Sequence, residues 1–455
     1  MRRIILALLL FCLVGCQAYR PTPPDLPAHQ AAWQKRLPDA EGVRAYDASL
    51  ARLGVDSAGA FDVGDGISLG EAETIALLCN PRLRVARLEA RVPLLGAQQA
   101  GLWDDPEFGL DVLRILQNVG SPWVIGTGLM FTVPISGRIR AEQVRAFAEA
   151  DAALCAAHAA EWAVVFDLRG TWSQWTAAGE RVELGEEYLN GLAEVLVLAQ
   201  AQREANQIGA PQLRVLQLEQ ARRKGDLIAV RGEQRRLRLK IKRLMGLVPE
   251  AELALLPDFS SVAPTLEGHA ERVHMRAHNI ELATSQARYR TAEKAFRLEI
   301  RKQYPDLKLG PLYEFDQGQD RLGGGLATTL PLWNKNRRAI AEARATRDAA
   351  KGSYEARYET IVADLAQAHV QLDVAAQRGA WLREHMAPMA DRQLEDLNRL
   401  GTMGDLDVLI VKDALTNALE TKLQILETRL QQALSSNEIR SHLGPPQAPS
   451  CGSCK

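Results

Sequence analysis

The hydrophobic positions of this chain alternate with the two-residue period of a strand in four short stretches. In SPWVIGTGLMFTVP, glycine and threonine alternate with large apolar residues: Trp123, Ile125, Leu129, Phe131 and Val133. The stretches EFGLDVLRIL, DLKLGPLYEF and RLGGGLATTLPL follow the same pattern. Such a period places apolar side chains on one face of a strand and small or polar ones on the other. We therefore predict strands at about 107–116, 123–133, 306–315 and 322–331.

Strands of about ten residues can cross a bilayer when they are tilted. Four such strands cannot close a membrane barrel, because an open sheet edge leaves unpaired backbone groups in lipid. Copies of the chain would therefore share one barrel, with eight strands in a dimer or twelve in a trimer. Two soluble surface hairpins are the alternative interpretation of the same pattern.

Each strand pair leads through a proline into a long stretch with helical periodicity. The first stretch runs from Ser136 to a turn at Gly209, with an interruption predicted near Gly179. It would reach about 110 Å at 1.5 Å per residue. The second stretch runs from Trp333 to Gly401, with a break predicted near Gly379 and Pro388. The chain is therefore predicted to be mainly α, with long antiparallel helices and a small β part.

The helix after Gly209 carries two seams, which are rows of residues spaced three or four positions apart. The first seam is apolar: Leu213, Leu216, Leu227, Val230, Leu237, Ile241 and Leu244. The second seam mixes small and apolar residues: Leu218, Ala221, Gly225, Ile228, Gly232 and Leu239. Two seams predict neighbours on both sides of the helix, as in a tube of helices, whereas a two-stranded coiled coil needs only one.

The chain contains an internal duplication of roughly 200 residues. Asn80 and Asn279 open matching helices 199 positions apart. Further pairs follow in the same order at 192–199 positions: Pro106 and Pro305, Pro134 and Pro331, Gly209 and Gly401. We predict a first repeat at 67–265, a second repeat at 266–443 and a flexible tail at 444–455.

The N-terminus predicts export and lipidation. Residues 1–15 combine two arginines with a short apolar run, which is typical of a signal peptide. The run ends in Leu-Val-Gly-Cys, which resembles a bacterial lipobox with Cys16 as the lipid anchor. Gln17 in place of aspartate favours the outer membrane, and residues 16–66 would form a lipidated tether and periplasmic segment. An ordinary signal peptide with a chance cysteine is the alternative.

Composition and motifs exclude several classes of function. Lysine and arginine number 55 against 56 aspartates and glutamates, so no strong charge favours a nucleic-acid partner. The sequence contains no Gly-x4-Gly-Lys-Ser/Thr loop, no His-Glu-x-x-His and no Gly-x-Ser-x-Gly. We therefore expect neither an enzyme nor a bound cofactor.

Two pairs of residues are weak candidates for metal binding. His274 and His278 are one helical turn apart, but no paired carboxylate or cysteine accompanies them, so a plain helix surface is the main alternative. Cys451 and Cys454 have the spacing of a redox or metal pair. Their alternatives are a local disulfide bond or unreacted thiols.

Several stretches in this order resemble the TolC-like outer-membrane efflux protein family over nearly the whole mature length. They are ISLGEAETIALLCNPRL at 67–83, the two strand-to-helix joints FTVPISGRIRAEQVRAFAEAD and LPLWNKNRRAIAEARA, the helix turn LGTMGDLDVL, and the duplication itself. The second joint is most similar to the branch that serves heavy-metal cation pumps.

The resemblance implies a homotrimer, with a twelve-stranded barrel in the bacterial outer membrane and a helical tunnel in the periplasm. Its partners would be a periplasmic adaptor, contacted at the helix turns of Gly209 and Gly401, and an inner-membrane pump driven by protons. The expected function is a passive exit channel for small molecules or metal cations. An exit duct for protein secretion and a periplasmic coiled-coil scaffold are the alternatives.

The second helix turn also contains two acidic residues, Asp405 and Asp407, beside a helix N-terminus. Acidic residues are favoured there by the helix dipole without any gating role. The resemblance implies more for Asp407, which matches an aspartate that lines the narrow periplasmic mouth of the family's tunnel. Three copies around an axis would form a negative ring that attracts cations. Asp407, with Asp405, is therefore the candidate periplasmic gate.

Overall fold

The computed structural model describes most of the chain. The described residues are 19–52, 61–117, 119–120, 122–259, 268–402 and 407–445.

Short helices, a hairpin and a pair of long helices recur in the same order in both halves of the chain. The N-terminal part and the first half contain α1 (Leu26–Gln34), α2 (Glu41–Arg52), α3 (Leu69–Cys79), α4 (Pro81–Gln98), β1 (Glu107–Arg114), β2 (Trp123–Val133), α5 (Arg138–Glu204) and α6 (Ala210–Leu244). The second half contains α7 (Gly268–His278), α8 (Ile280–Arg301), β3 (Leu307–Asp316), β4 (Gln319–Thr328), α9 (Arg337–Trp381), a π-helical turn (Leu382–Met386), α10 (Ala387–Thr402) and α11 (Val408–Leu443). No described helix combines the length and the apolar character needed to span a membrane.

The strands form one antiparallel sheet in the order β1-β2-β3-β4. Residues that face each other across strands share one side of the sheet. The register thereby collects the predicted apolar positions on one face, in pairs such as Phe108 with Leu129, Phe131 with Leu309 and Tyr313 with Leu322. The opposite face carries glycines and ion pairs, among them Lys308 Nζ with Glu107 Oε1 at 2.7 Å and Arg321 Nη1 with Glu314 Oε1 at 3.1 Å. The predicted alternation is therefore present in the sheet.

The second hairpin is tighter than its sequence pattern predicted. Gln317 and Gly318 have φ values of 48° and 84°, and Asp316 pairs with Gln319. Positive φ at both central residues is the geometry of a two-residue hairpin turn. The ladder therefore continues through residues 319–321, which the sequence pattern placed in a loop. The fourth strand runs from 319 to 328, where about 322–331 was predicted.

The helix α5 is continuous over 67 residues, or about 100 Å at 1.5 Å per residue. The interruption predicted near Gly179 was wrong. Glycine costs about 1 kcal/mol inside a helix relative to alanine, but packing against neighbours overrides such a local preference. A Cβ atom at Gly179 would lie 3.2 Å from Nε2 of Gln234 in α6, so the glycine allows close contact between the two helices.

A break was predicted near Gly379 and Pro388: the helix α9 runs unbroken through Gly379, and a π-helical turn, Leu382–Met386, lies just before Pro388. The Ala387 N–H donates to the carbonyl of Leu382, five residues earlier instead of four. Pro388 follows immediately and has no N–H to donate, so the normal helical pattern cannot continue through this point. The turn joins α9 to α10 without ending the helical path.

The main core lies where α3, α5 and α6 meet. Trp172 of α5 is fully buried there, and its Nε1–H donates to the Leu256 carbonyl at 3.1 Å. The buried side chains packed around it are mostly aliphatic: Ile67, Ile75, Leu83, Leu168, Ile241, Met245 and Leu247. A capping box fixes the start of α3, since Ser68 N–H donates to Glu71 Oε2 at 2.8 Å and Glu71 N–H donates to Ser68 Oγ at 3.4 Å.

Candidate functional site

The sheet ends in two open edges, β1 and β4, each of which pairs with one neighbour among the described strands. Its apolar face is also uncovered in the single chain. Phe108 is 69% exposed, Leu322 is 84% exposed and Leu326 is 70% exposed. Exposure of such an apolar sheet face to water costs roughly 25 cal/mol per Å² of apolar surface. The surface is therefore suited to a lipid environment, with other strands along both edges.

The helices form a layer that is open at its two sides as well. α5 packs between α6 and α11 in one part of its length and between α4 and α8 in another, while α9 packs on α8 and α11. α4 and α6 therefore lie at one side of the layer, and α9 lies at the other.

The first seam of α6 faces this layer, because Leu216, Leu237, Ile241 and Leu244 are buried. The second seam faces away, since Leu218 and Ile228 are 70% and 71% exposed. α4 and α9 have further exposed apolar rows: Val85, Leu88, Val92 and Leu95 on α4, and Val370 and Val374 on α9. The first seam is therefore packed as predicted, whereas the second has no neighbour within the described part of the chain, and its contact with a neighbouring helix stays a prediction.

Arg138 joins the sheet to the helices. Its Nε donates to Asp306 Oδ2 at 2.9 Å, and its Nη2 donates to Asp104. Asp104 precedes β1, Asp306 precedes β3, and Arg138 begins α5. Charge-assisted hydrogen bonds of this kind are stronger than neutral ones. One guanidinium therefore ties both hairpins to the first long helix.

A polar network joins three helices farther from the sheet. The Tyr188 hydroxyl of α5 lies 3.3 Å from Glu219 Oε1 of α6 and 3.1 Å from Thr416 Oγ1 of α11. Arg223 Nε donates to the same Glu219 oxygen at 2.7 Å. Burial raises the pKa of Tyr188. Burial would also raise the pKa of Glu219, but the hydrogen bond and charge of Arg223 outweigh it and lower that pKa. The carboxylate therefore stays ionised and binds the Tyr188 hydroxyl, and that hydroxyl joins α5 to both α6 and α11.

Each repeat contains an equivalent contact that we call an asparagine clasp. Asn80 forms it in the first repeat, and Asn279 forms it in the second. Asn80 accepts from the N–H of Arg82 at 2.8 Å, which caps α4, and its Nδ2 donates to the Leu244 carbonyl at 2.7 Å. Asn279 caps α8 in the same way, and its Nδ2 donates to the His442 carbonyl at 2.6 Å. The first clasp therefore fixes the end of α6 to the start of α4. The second clasp fixes the end of α11 to the start of α8.

Glycine completes each clasp. Gly246 and Gly444 follow α6 and α11 with φ values of +70° and +83°. A Cβ atom on Gly246 would overlap the Cys79 carbonyl, and one on Gly444 would overlap the His278 carbonyl. The sequence interpretation singled out the asparagines but missed these glycines. The matching 198-residue spacing of 246 and 444 is the sequence feature that could have indicated them.

The candidate gate and the turn residues lie at helix ends. Asp407 is exposed and caps α11, where it accepts a hydrogen bond from the Leu409 N–H at 2.9 Å. Asp405 lies outside the described residues. Gly209 precedes the first residue of α6, and Gly401 lies in the last turn of α10. The structure therefore shows the capping role of Asp407 directly and leaves its gating role as a proposal.

The histidine pair is stacked on α7. The ring centroids of His274 and His278 are 4.0 Å apart, and His278 Nδ1 lies 2.9 Å from the His274 carbonyl oxygen. Burial and the neighbouring His278 both lower the pKa of His274. Within the described residues no third histidine, cysteine or carboxylate completes a metal-binding group. Cys16, Cys451 and Cys454 lie outside those residues.

Comparisons with known proteins agree with this architecture. Residues 272–445 match the model of the family described as outer membrane efflux protein. The fold is similar to that of the outer-membrane channel OprN, with a TM-score of 0.71 and 17% identity over 83% of this chain and 89% of OprN. A comparison with curated proteins gives no match.

Two further solved structures have the same fold. For VceC of Vibrio cholerae, the TM-score is 0.69 and the identity 16%, over 83% of this chain and 96% of VceC. For the MtrE channel of Neisseria gonorrhoeae, the values are 0.69 and 17%, over 83% of this chain and 88% of MtrE. Residues 272–445 thus match the outer membrane efflux protein family, and the described chain has the fold of the outer-membrane proteins OprN, VceC and MtrE.

Proposed function

We propose that three copies of this chain form the outer-membrane exit channel of a tripartite efflux system. The observation that carries this proposal is the apolar sheet with two open edges, continued by a helix layer with two open sides. Backbone groups at a sheet edge find no hydrogen-bond partners in lipid. Further copies of the chain supply both the missing strands and the missing helices.

The strand order supports closure by identical copies. In a four-stranded antiparallel sheet, β1 and β4 run in opposite directions. β4 of one copy can therefore pair with β1 of the next copy in the antiparallel sense found throughout the sheet. Strand counting alone allows eight strands in a dimer or twelve in a trimer. The resemblance to TolC-like channels favours the trimer.

The closed assembly would act as a passive conduit for small molecules or metal cations. A proton-driven pump in the inner membrane would supply the energy, and a periplasmic adaptor would contact the helix turns at Gly209 and Gly401. Cys16 would anchor the mature chain in the outer membrane by lipidation. Most of the chain, including the helix layer, would then lie in the periplasm.

The oligomer and its channel can be tested on one detergent-purified preparation. We expect native mass spectrometry to give the mass of three chains, and planar bilayers to show stable conductance steps. A monomer or a dimer would contradict the trimer. Extraction without detergent and absence of conductance would instead favour the periplasmic scaffold. The denatured mass of the same sample should correspond to a chain that begins at Cys16 and carries acyl groups.

Asp407 is proposed to contribute to a cation-selective constriction at the inner end of the channel. Its carboxylate is exposed, so it is free to act on ions while it caps α11. Charge and capping can be separated, because asparagine caps a helix about as well as aspartate does, whereas alanine loses about 1 kcal/mol. Three copies of the charge would act together, and the effect would weaken as salt screens it.

We expect Asp407→Asn to lower the ratio of cation to anion permeability by roughly two-fold at low salt. Thermal stability should stay unchanged. Reversal potentials in asymmetric KCl measure the ratio. The matched control is Asp413→Asn on the same helix, where the carboxylate is exposed and already paired with Lys412 at 2.6 Å. An unchanged ratio in Asp407→Asn would leave Asp407 with its capping role alone.

A further inference from the structure

A cavity lies beside the first asparagine clasp, between α1, the start of α4 and the end of α6. Its volume is about 500 Å³. Cavities that bind small organic molecules measure roughly 300–1,000 Å³. Its apolar lining comes from these three elements and from the loop that follows α6: Trp33, Pro81, Leu239, Leu247 and Pro249. A single chain therefore forms the walls of the cavity.

Two side chains of α1 hold this helix against the cavity. The Gly246 carbonyl accepts a hydrogen bond from Trp33 Nε1–H at 3.0 Å and another from Arg36 Nη1 at 2.7 Å. Arg36 Nη1 also donates to the Cys79 carbonyl at 3.1 Å. The indole N–H of Trp33 is thereby satisfied, so the rest of the ring serves as an apolar wall.

The charged side chains that line the cavity are all basic. They are His29, Arg36, Arg84, Lys242 and Arg243, and the described lining contains no aspartate or glutamate. Arg84 and Arg243 are exposed, and neither forms a hydrogen bond or an ion pair through its side chain within the described part of the chain. Clefts lined by one sign of charge raise the local concentration of ligands of the opposite sign. The cavity is therefore suited to an anion.

Lys242 brings a buried cation to the cavity wall. The residue is only 9% exposed, and its Nζ donates to the Pro249 carbonyl at 2.6 Å. An ammonium group has three donors, so this bond uses one of them. Burial, and then the charge of Arg238, lower the pKa of Lys242, whereas the charges of Glu250 and Glu252 oppose this shift. Burial of a cation costs free energy unless a partner offsets it, and an anion in the cavity would do so.

We propose that this cavity binds an amphipathic organic anion. The apolar body of the ligand would pack against Trp33 and Leu239, and its anionic group would face Arg84, Lys242 and Arg243. An inorganic anion would leave the apolar walls unused. An uncharged apolar ligand would leave the cations without a partner. The combination of the two kinds of wall therefore selects a ligand that has both parts.

The position of the cavity indicates where its ligand comes from. Pro81, in the cavity wall, is the first residue of α4, and the 18 residues of this helix rise about 27 Å before the chain continues to β1. In the orientation of the proposed function, on which this step rests, the cavity lies in the periplasm and outside the hydrocarbon core. The ligand is therefore a soluble amphiphile and not a lipid held in the bilayer.

Titration calorimetry on the detergent-purified, full-length protein tests the site. We expect naphthalene-2-carboxylate to bind saturably, with one molecule per chain. The uncharged naphthalene-2-carboxamide has the same rings and should bind roughly tenfold more weakly, because it lacks the charge that the cations attract. Acetate and inorganic phosphate lack the apolar body and should not displace naphthalene-2-carboxylate at equal concentration. Titration into detergent alone gives the background.

Two double variants locate the binding. Arg84→Gln/Arg243→Gln should raise the dissociation constant of naphthalene-2-carboxylate by roughly tenfold and leave that of the carboxamide unchanged. Both side chains are exposed, so we expect the variant to fold. The matched control is Arg222→Gln/Arg235→Gln, which removes two exposed arginines of α6 that do not line the cavity. This control should bind as the unaltered protein does.

Three results would overturn the proposed site. Equal affinities for the carboxylate and the carboxamide would show that the cations do not select the ligand. Equal losses of affinity in the two double variants would assign binding to the general basic surface of the protein. Absence of saturable binding would show that the cavity is not free for a small ligand in the assembled protein, for example because a neighbouring copy fills it.

Native mass spectrometry of the same preparation separates this proposal from the proposed function. A trimer that does not bind naphthalene-2-carboxylate would contradict the site alone. A monomer or dimer that binds it would contradict the trimer alone.

Discussion

Replacement of Gly310 by alanine should strongly reduce assembly of the channel, whereas the same replacement at Gly323 should leave it intact. A Cβ atom on Gly310 would overlap the Leu129 carbonyl oxygen. It would also lie 2.8 Å from the Leu129 carbonyl carbon and 3.0 Å from the Met130 Cα. These are backbone atoms of β2, and they cannot move aside as the end of a flexible side chain could.

The overlap lies in the β2–β3 ladder, which joins the hairpin of the first repeat to that of the second. Separation of these strands in lipid would leave backbone groups unpaired, at several kcal/mol each. We therefore expect at least about a tenfold loss of trimer in the outer membrane, which corresponds to 1.4 kcal/mol or more. Trimer recovered from membranes can be quantified by native electrophoresis and by bilayer conductance.

Gly323 is the matched control because it lies on β4 and shares a sheet face with Gly310. A Cβ atom there would meet no atom within 4 Å in the single chain. Both variants replace one strand glycine by alanine, so the intrinsic strand propensity changes equally in both. A difference in trimer yield between them therefore measures the effect of the overlap. Equal trimer yields would show that β2 and β3 can separate enough to admit a methyl group.

The second large effect is expected at the clasp glycines. Gly246→Ala should destabilise the protein by at least about 3 kcal/mol, since positive φ costs of order 1–3 kcal/mol and the backbone overlap adds to it. The new Cβ would lie 2.7 Å from the Cys79 carbonyl carbon, in addition to its overlap with the carbonyl oxygen. Gly444→Ala should behave alike, because its Cβ would lie 2.5 Å from the His278 carbonyl carbon.

The measurement is the thermal midpoint of the helical circular dichroism signal in detergent. Gly137→Ala is the control, since Gly137 has a φ of +71° but a Cβ there would meet no atom within 4 Å. It therefore reports the cost of positive φ without the overlap. If Gly246→Ala lowered the thermal midpoint no more than Gly137→Ala does, the close approach of the end of α6 to residues 79–80 would contribute nothing to the stability of the protein.

The alternation of the strands could be read from the sequence because it depends on local geometry. Phe108, Phe131 and Leu326 were placed on one face by the two-residue period alone, and the register of the sheet places them there. The break before Pro388 was equally local, since a missing N–H disrupts a helix wherever it occurs. The duplication and the first seam of α6 were likewise determined by residue spacing.

Contacts between distant residues were decided only by the tertiary structure. Gly179 looked like a helix break, but Gln234 of α6 packs against it and the helix continues. Gly246 looked unremarkable, because the Cys79 carbonyl that requires a glycine there lies far away in the sequence. The partner of Asn80 is likewise 164 residues distant. Spacing along the chain determines which face a residue occupies, whereas the backbone that approaches that face is determined by how the helices pack in three dimensions.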